Sequence, residues 1–97
     1  MIQRFQSLRE ATRAAVLRGP GRTTPELRRA VAQGDPPEEL ARLVDKIRRH
    51  AYQVTDEDLA DLRARYDEDQ LFEIIVAAAL GAAGVRLDAA LRALEGA

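Results

Sequence analysis

Apolar positions recur at helical spacing along most of this chain, and in one stretch, Leu71 to Val85 (LFEIIVAAALGAAGV), they cover nearly the whole helix circumference. A helix apolar on all sides is expected to be buried on all sides. Upstream the pattern is amphipathic. Ile2, Phe5, Leu8, Thr12, Ala15 and Val16 predict a first helix from about Ile2 to Leu17 with that stripe facing inward, closed by Gly19-Pro20-Gly21. Thr24 followed by Pro25 reads as a cap and first helical residue, opening a short helix that stops at Gly34. Asp35 and Pro36 repeat the signal ahead of the face Leu40, Leu43, Val44 and Ile47, which runs to His50.

Thr55, followed by Asp56, Glu57 and Asp58 where the helix dipole favours acids, marks a fourth helix with Leu59 and Leu62 facing inward. Asp67 and Gln70 have capping-box spacing and place the start of the last helix near Glu68. Continued to Glu95, that helix would measure about 42 Å. Beyond Val85 it turns amphipathic, with Leu87, Ala90, Leu91 and Leu94 opposite Arg86, Asp88, Arg92 and Glu95. Gly81 and Gly84 each disfavour a helix interior by ~1 kcal/mol, so a kink or a close helix crossing is expected there.

Composition turns this pattern into a fold class. The chain is 46% hydrophobic, rich in Ala and Leu and poor in aromatics, which favours close-packed helices over a sheet. Its 97 residues suit one all-α domain, residues 1–97, of about five helices. The apolar run of about 15 residues falls short of the about 20 that span a bilayer, so no membrane span is expected and a soluble, cytoplasmic protein is. So few helices cannot enclose the last one completely. A homo-oligomer is therefore expected, with Leu71, Ile75, Ala78, Gly81 and Gly84 in the contact between copies.

The net charge is only −1, yet the halves differ: residues 1–50 carry 11 basic and 6 acidic groups, residues 51–97 carry 4 and 10. Such halves attract, within a chain or between chains. Arginines such as Arg9 and Arg13, Arg28 and Arg29, and Arg42 with Lys46 and Arg49 suggest a basic surface. Interspersed Glu10, Glu26, Glu38, Glu39 and Asp45 argue against a phosphate-tracking face, so nucleic acid is not the expected partner. With no cysteine and a single histidine, no thiol chemistry and no metal site is expected, and nothing implies a cofactor.

The segment from Asp45 to Leu94 resembles the core of the carboxymuconolactone decarboxylase and alkyl hydroperoxidase D superfamily. The resemblance lies in a helix, the turn Asp67-Glu68-Asp69-Gln70-Leu71, and the alanine-rich helix that follows with Ala77 to Leu80. It implies an oligomeric all-helical fold. It also places His50-Ala51-Tyr52-Gln53 on the hydroperoxidases' Cys-x-x-Cys, and Glu57 where a histidine follows it. Without thiols, peroxidase chemistry is excluded. The decarboxylase branch needs no cysteine and implies a lactone acid handled by acid/base groups.

His50 is the only histidine, the side-chain type suited to acid/base work at neutral pH, and Glu57 and Glu73 are its candidate catalytic companions, with Tyr52 and Gln53 as ligand contacts. The plainer reading has His50 ending the third helix at the negative end of its dipole. Glu73, inside the apolar run, is either a functional acid paired with His50 or an arginine, or an exposed residue bridged to Arg63 or Arg65. The favoured reading is a cysteine-free, self-associating protein of structural role, or one holding a small apolar ligand between helices. The alternatives are a decarboxylase or isomerase using His50, and a basic-surface adaptor for acidic partners.

Overall fold

Local capping chemistry sets most of the helix boundaries. In a computed structural model, the backbone of residues 2–50 and 53–96 and the side chains of residues 7, 8, 10–50 and 53–96 are described. The described residues form five α-helices and no strand: α1 (Ile2–Arg18), α2 (Pro25–Gln33), α3 (Glu38–His50), α4 (Asp56–Ala60) and α5 (Glu68–Gly96), with a 3-10 turn at Leu62–Ala64. The Thr24 side chain accepts the Leu27 N–H at 3.2 Å. Gly34, at φ 80°, closes α2 in a left-handed conformation, and the Asp35 N–H reaches the Ala30 carbonyl at 2.9 Å. At the start of α5, Asp67 and Gln70 form a reciprocal box: the Asp67 N–H donates to Gln70 Oε1 and the Gln70 N–H to Asp67 Oδ1.

The start of α3 differs from the sequence expectation. Asp35 is occupied in the closing turn of α2, and Pro37 disfavours a helical conformation at Pro36, so the helix begins at Glu38 rather than Pro36.

The core is built on one side of α5. Leu71, Ile74, Ala77, Ala78 and Ala82 pack against Val31 and Ala32 of α2, Leu40, Leu43, Val44 and Ile47 of α3, and Leu17 and Leu62. Gly81 is the crossing point of α2 and α5, where a Cβ would fall on the Ala32 carbonyl. A close crossing, not a kink, accounts for this glycine, and α5 runs unbroken through both Gly81 and Gly84. Gly84 lies beside the Arg13 side chain.

Three helix ends are finished by an arginine from a later helix. Arg28 of α2 donates to the Val16 carbonyl at 2.6 Å and to the Gly19 carbonyl beyond the end of α1. Arg48 of α3 donates to Ala32 of α2 at 3.1 Å, and Arg86 of α5 donates to Arg48 of α3 at 2.9 Å. Each guanidinium satisfies carbonyls that helix termini leave unpaired.

The other side of α5 is uncovered. Phe72, Ala79, Ala83, Leu87, Ala90 and Leu94 are exposed at helical spacing, a stripe about 33 Å long, with Val76 half-buried among them. Phe72 is 67% and Leu94 63% accessible. The expectation of all-round burial is therefore not met within one chain. By length and composition α5 could cross a membrane: its most apolar 18-residue window has a mean hydropathy of 1.8, and 28% of that window is buried in the fold.

The first helix also departs from expectation. Leu8, Thr12 and Ala15 face outward and Val16 is half-buried, while Leu17 provides the buried anchor; the side chains of Ile2 and Phe5, also expected to face inward, lie outside the described residues. The 29-residue α5, about 43 Å long, elongates the molecule to 47 × 28 × 18 Å with a radius of gyration of 14.5 Å, against about 12.5 Å for a compact chain of this length.

Candidate functional site

Glu73 projects from the first turns of α5 toward the loop between α1 and α2. Its carboxylate accepts the Arg22 N–H at 2.7 Å, the Thr23 N–H at 3.0 Å and the Thr23 hydroxyl at 2.7 Å. The Arg28 Nε lies 4.0 Å from the same carboxylate, and this guanidinium side chain is 4% exposed. Gly21 allows the approach, since a Cβ there would run into the Glu73 carboxylate. Desolvation raises the Glu73 pKa, but the Thr23 hydroxyl, the two N–H groups and Arg28 together outweigh it and hold the carboxyl below its ordinary 4.5. A carboxylate held ionised and saturated with donors is a poor proton donor or acceptor for catalysis.

The other expected site residues lie elsewhere. His50 is exposed at the end of α3, two residues after Arg48, whose carbonyl receives Arg86. Along α5 the rise between Glu73 and Arg86 is about 20 Å, so His50 and Glu73 occupy opposite ends of the bundle. Glu57 is exposed in the first turn of α4 and faces a groove shared with Glu39, Arg42, Asp58 and Asp61. Gln53 is exposed, and Tyr52 lies outside the described residues. The expected pairing of His50 with Glu73 is thus not formed. The alternative bridge from Glu73 to Arg63 or Arg65 is not formed either, since Glu73 turns to the Arg22–Arg28 side and Arg63 pairs with Glu68 at 3.1 Å.

Among the expected contact residues between copies, Leu71, Ala78 and Gly81 are buried in the chain's own core and cannot meet a second molecule in this fold. Ile75 and Gly84 are half-buried at the margins of the outward stripe.

The structure instead brings together a set not anticipated from sequence. Ala15 and Val16 of α1, Pro20 and Gly21 of the loop, and Phe72 and Val76 of α5 line an open groove of about 500 Å³, with Arg28 and Glu73 contributing to its wall and Arg22 and Asp69 beside them. The volume suits a small organic molecule or a side chain of a partner. The groove lies between the outward stripes of α1 and α5 and joins them into one apolar face. The available sequence signal was Glu73 itself: a carboxylate within an apolar run requires donors.

A second carboxylate marks how α4 is fastened. Asp58 accepts Lys46 Nζ at 2.8 Å and the Thr55 N–H at 2.8 Å, and these hydrogen bonds, Lys46 first, lower its pKa from 3.8 to about 2. Both Asp58 and Glu73 have depressed folded-state values, so their contribution is complete above the unfolded-state pKa and disappears as pH falls through the folded one. Urea unfolding at pH 6 and pH 3 should show a lower midpoint at pH 3. The Asp58→Asn, Glu73→Gln double variant should show a smaller difference between the two. An unchanged difference would remove these two groups as the source of acid sensitivity.

Among the described residues, no group of three or more His, Cys, Asp or Glu could hold a metal ion. Comparison with known protein families, characterised proteins and solved structures finds no match.

Proposed function

We propose that this chain is a soluble, cytoplasmic assembly protein without thiol peroxidase activity, which self-associates through the face formed by the outward stripes of α1 and α5. The resemblance of Asp45 to Leu94 to the carboxymuconolactone decarboxylase and alkyl hydroperoxidase D superfamily supports an oligomeric helical core. The observation that carries the reading is the uncovered stripe from Phe72 to Leu94, with Leu8, Thr12, Ala15 and Val16 beside it. The α5 stripe, about 33 Å long, and the α1 stripe from Leu8 to Val16, about 12 Å long, each about 10 Å wide, give a footprint of roughly 450 Å² per copy. That is a little over half the about 800 Å² per partner of a standard stable interface, which corresponds to a small contact between copies.

A second feature agrees. From Val85 onward α5 is almost entirely exposed, and an unsupported helix of fewer than about 12–15 residues is marginal in water. Pairing with another copy would supply the missing support to Leu87, Leu91 and Leu94. The decarboxylase or isomerase reading loses its basis where His50 and Glu73 stand at opposite ends of the bundle.

Light scattering at micromolar concentration is expected to give a mass above the 10.7 kDa of one chain. Leu87→Glu with Leu94→Glu should reduce it to the single-chain value while leaving helical content in place. A wild-type mass of one chain overturns the assignment. A monomer that takes up an uncharged apolar dye in one-to-one ratio would assign the groove to a small ligand. Sedimentation of the monomer with lipid vesicles would assign the stripe to a bilayer surface.

A further inference from the structure

Between α1 and α2, arginines left over by the helix-end contacts line a common groove, with Arg13 at its border toward Ala83, Gly84 and Leu87 of α5. Arg13 and Arg18 of α1 and Arg29 of α2 line one groove of about 220 Å³, together with Gln33, Glu10, Ala14 and Leu17. Arg28, the sequence neighbour of Arg29, is turned away into the core and is absent from it. Among the described residues, neither Arg13 nor Arg18 forms an ion pair. Arg29 has only Glu26, at 3.9 Å and with both side chains largely exposed. Three guanidinium groups against the single carboxylate of Glu10 give the lining an excess of two positive charges.

We propose that this groove binds a small dianionic phosphate group. Like charges gathered on one surface repel one another, and an anion placed between them reverses the sign of that energy. Guanidinium groups match the oxygens of phosphate in pairs of charge-assisted hydrogen bonds, and the Gln33 amide supplies a further neutral donor. The groove rests on Leu17, 4% exposed, and Ala14, which leaves a short apolar floor for the organic part of a phosphate monoester. Its volume is too small for a stretch of nucleic acid, and Glu10 interrupts the basic surface along α1, so a discrete anion fits better than a polymer.

The test is calorimetric titration of the full chain with inorganic phosphate and with pyrophosphate in low-chloride buffer. Saturable one-to-one binding is expected, weakened at least tenfold by Arg13→Gln with Arg29→Gln and likewise by Arg18→Gln, whose exposed position on α1 leaves folding intact. Glu10→Gln should tighten binding severalfold by removing the lone opposing carboxylate. Absence of saturable heat up to millimolar phosphate overturns the proposal, as does undiminished binding in the arginine variants. A short DNA oligonucleotide that binds more tightly than pyrophosphate, with a salt dependence of several released counterions, would also overturn it in favour of an extended polyanion surface.

Discussion

Gly81→Ala should destabilise the protein by about 2 kcal/mol, while Gly84→Ala, one helical turn away, should stabilise it by up to about 1 kcal/mol. Both substitutions gain helix propensity of about 1 kcal/mol over glycine. They differ in what the new methyl meets. At Gly84 the nearest atom is the end of the Arg13 side chain at 3.5 Å, an ordinary contact with a group that can move. At Gly81 it is the backbone carbonyl of Ala32, which is fixed within α2 and already accepts Arg48. The helices must separate, and overpacking of this kind costs about 1–3 kcal/mol, taken here at its upper end because backbone cannot rotate aside. Thermal unfolding followed by circular dichroism should show Gly81→Ala melting roughly 8–16 °C lower and Gly84→Ala melting higher. Equal shifts of the same sign would mean that α2 and α5 do not cross at Gly81.

Glu73→Ala is expected to cost about 3–4 kcal/mol at neutral pH, a large part of the stability of a domain this size. The substitution removes the acceptor for three hydrogen bonds and leaves the buried Arg28 charge without its nearest counter-charge. The Arg28 Nε is already buried without a hydrogen-bond acceptor, so the site has no spare partner to offer. Combining Glu73→Ala with Arg28→Met should recover part of the loss, because the uncompensated charge is then gone. Recovery should be incomplete, since Arg28 also serves the Val16 and Gly19 carbonyls at the end of α1. Denaturant unfolding of the two single variants and the double variant measures the coupling, and strict additivity would show that the pair does not interact.

The contrast between these sites shows what local sequence can carry. Helix starts at Pro25, Asp56 and Glu68 are legible because a cap and its partner sit within three residues of each other. Gly81 and Gly84 together announce a kink or a close crossing, but sequence does not say that the crossing lies at Gly81 alone or that Ala32 of α2 makes it. The face of α1 is not legible. Its apolar stripe predicts inward orientation, whereas the helix is anchored by Leu17 and by the Arg28 guanidinium at its last turn, and Leu8 and Ala15 point outward.

Arg28 was similarly hidden, because two adjacent arginines read as surface. Its burial depends on a carboxylate 45 residues later in the chain, and no periodicity connects the two. Glu73 did signal that donors had to be near, and an arginine was among the partners expected. Thr23 and the Arg22 N–H were not, since loop groups carry no pattern before the loop is folded against α5. The candidate catalytic group failed for a related reason. His50 and Glu73 are compatible by residue type, but the long rise of α5 separates the helix ends on which they stand.

The three arginines that finish α1, α2 and α3 have an implication for solvent tolerance. A guanidinium keeps its proton far into the alkaline range, so the contacts of Arg28, Arg48 and Arg86 with helix carbonyls persist where lysine contacts would fail. The fastenings that titrate early are carboxylates, and they open toward acid. Tolerance should therefore be lopsided, generous on the basic side of neutrality and narrow on the other, and replacing any of the three by lysine would shift that balance without removing a single positive charge at pH 7.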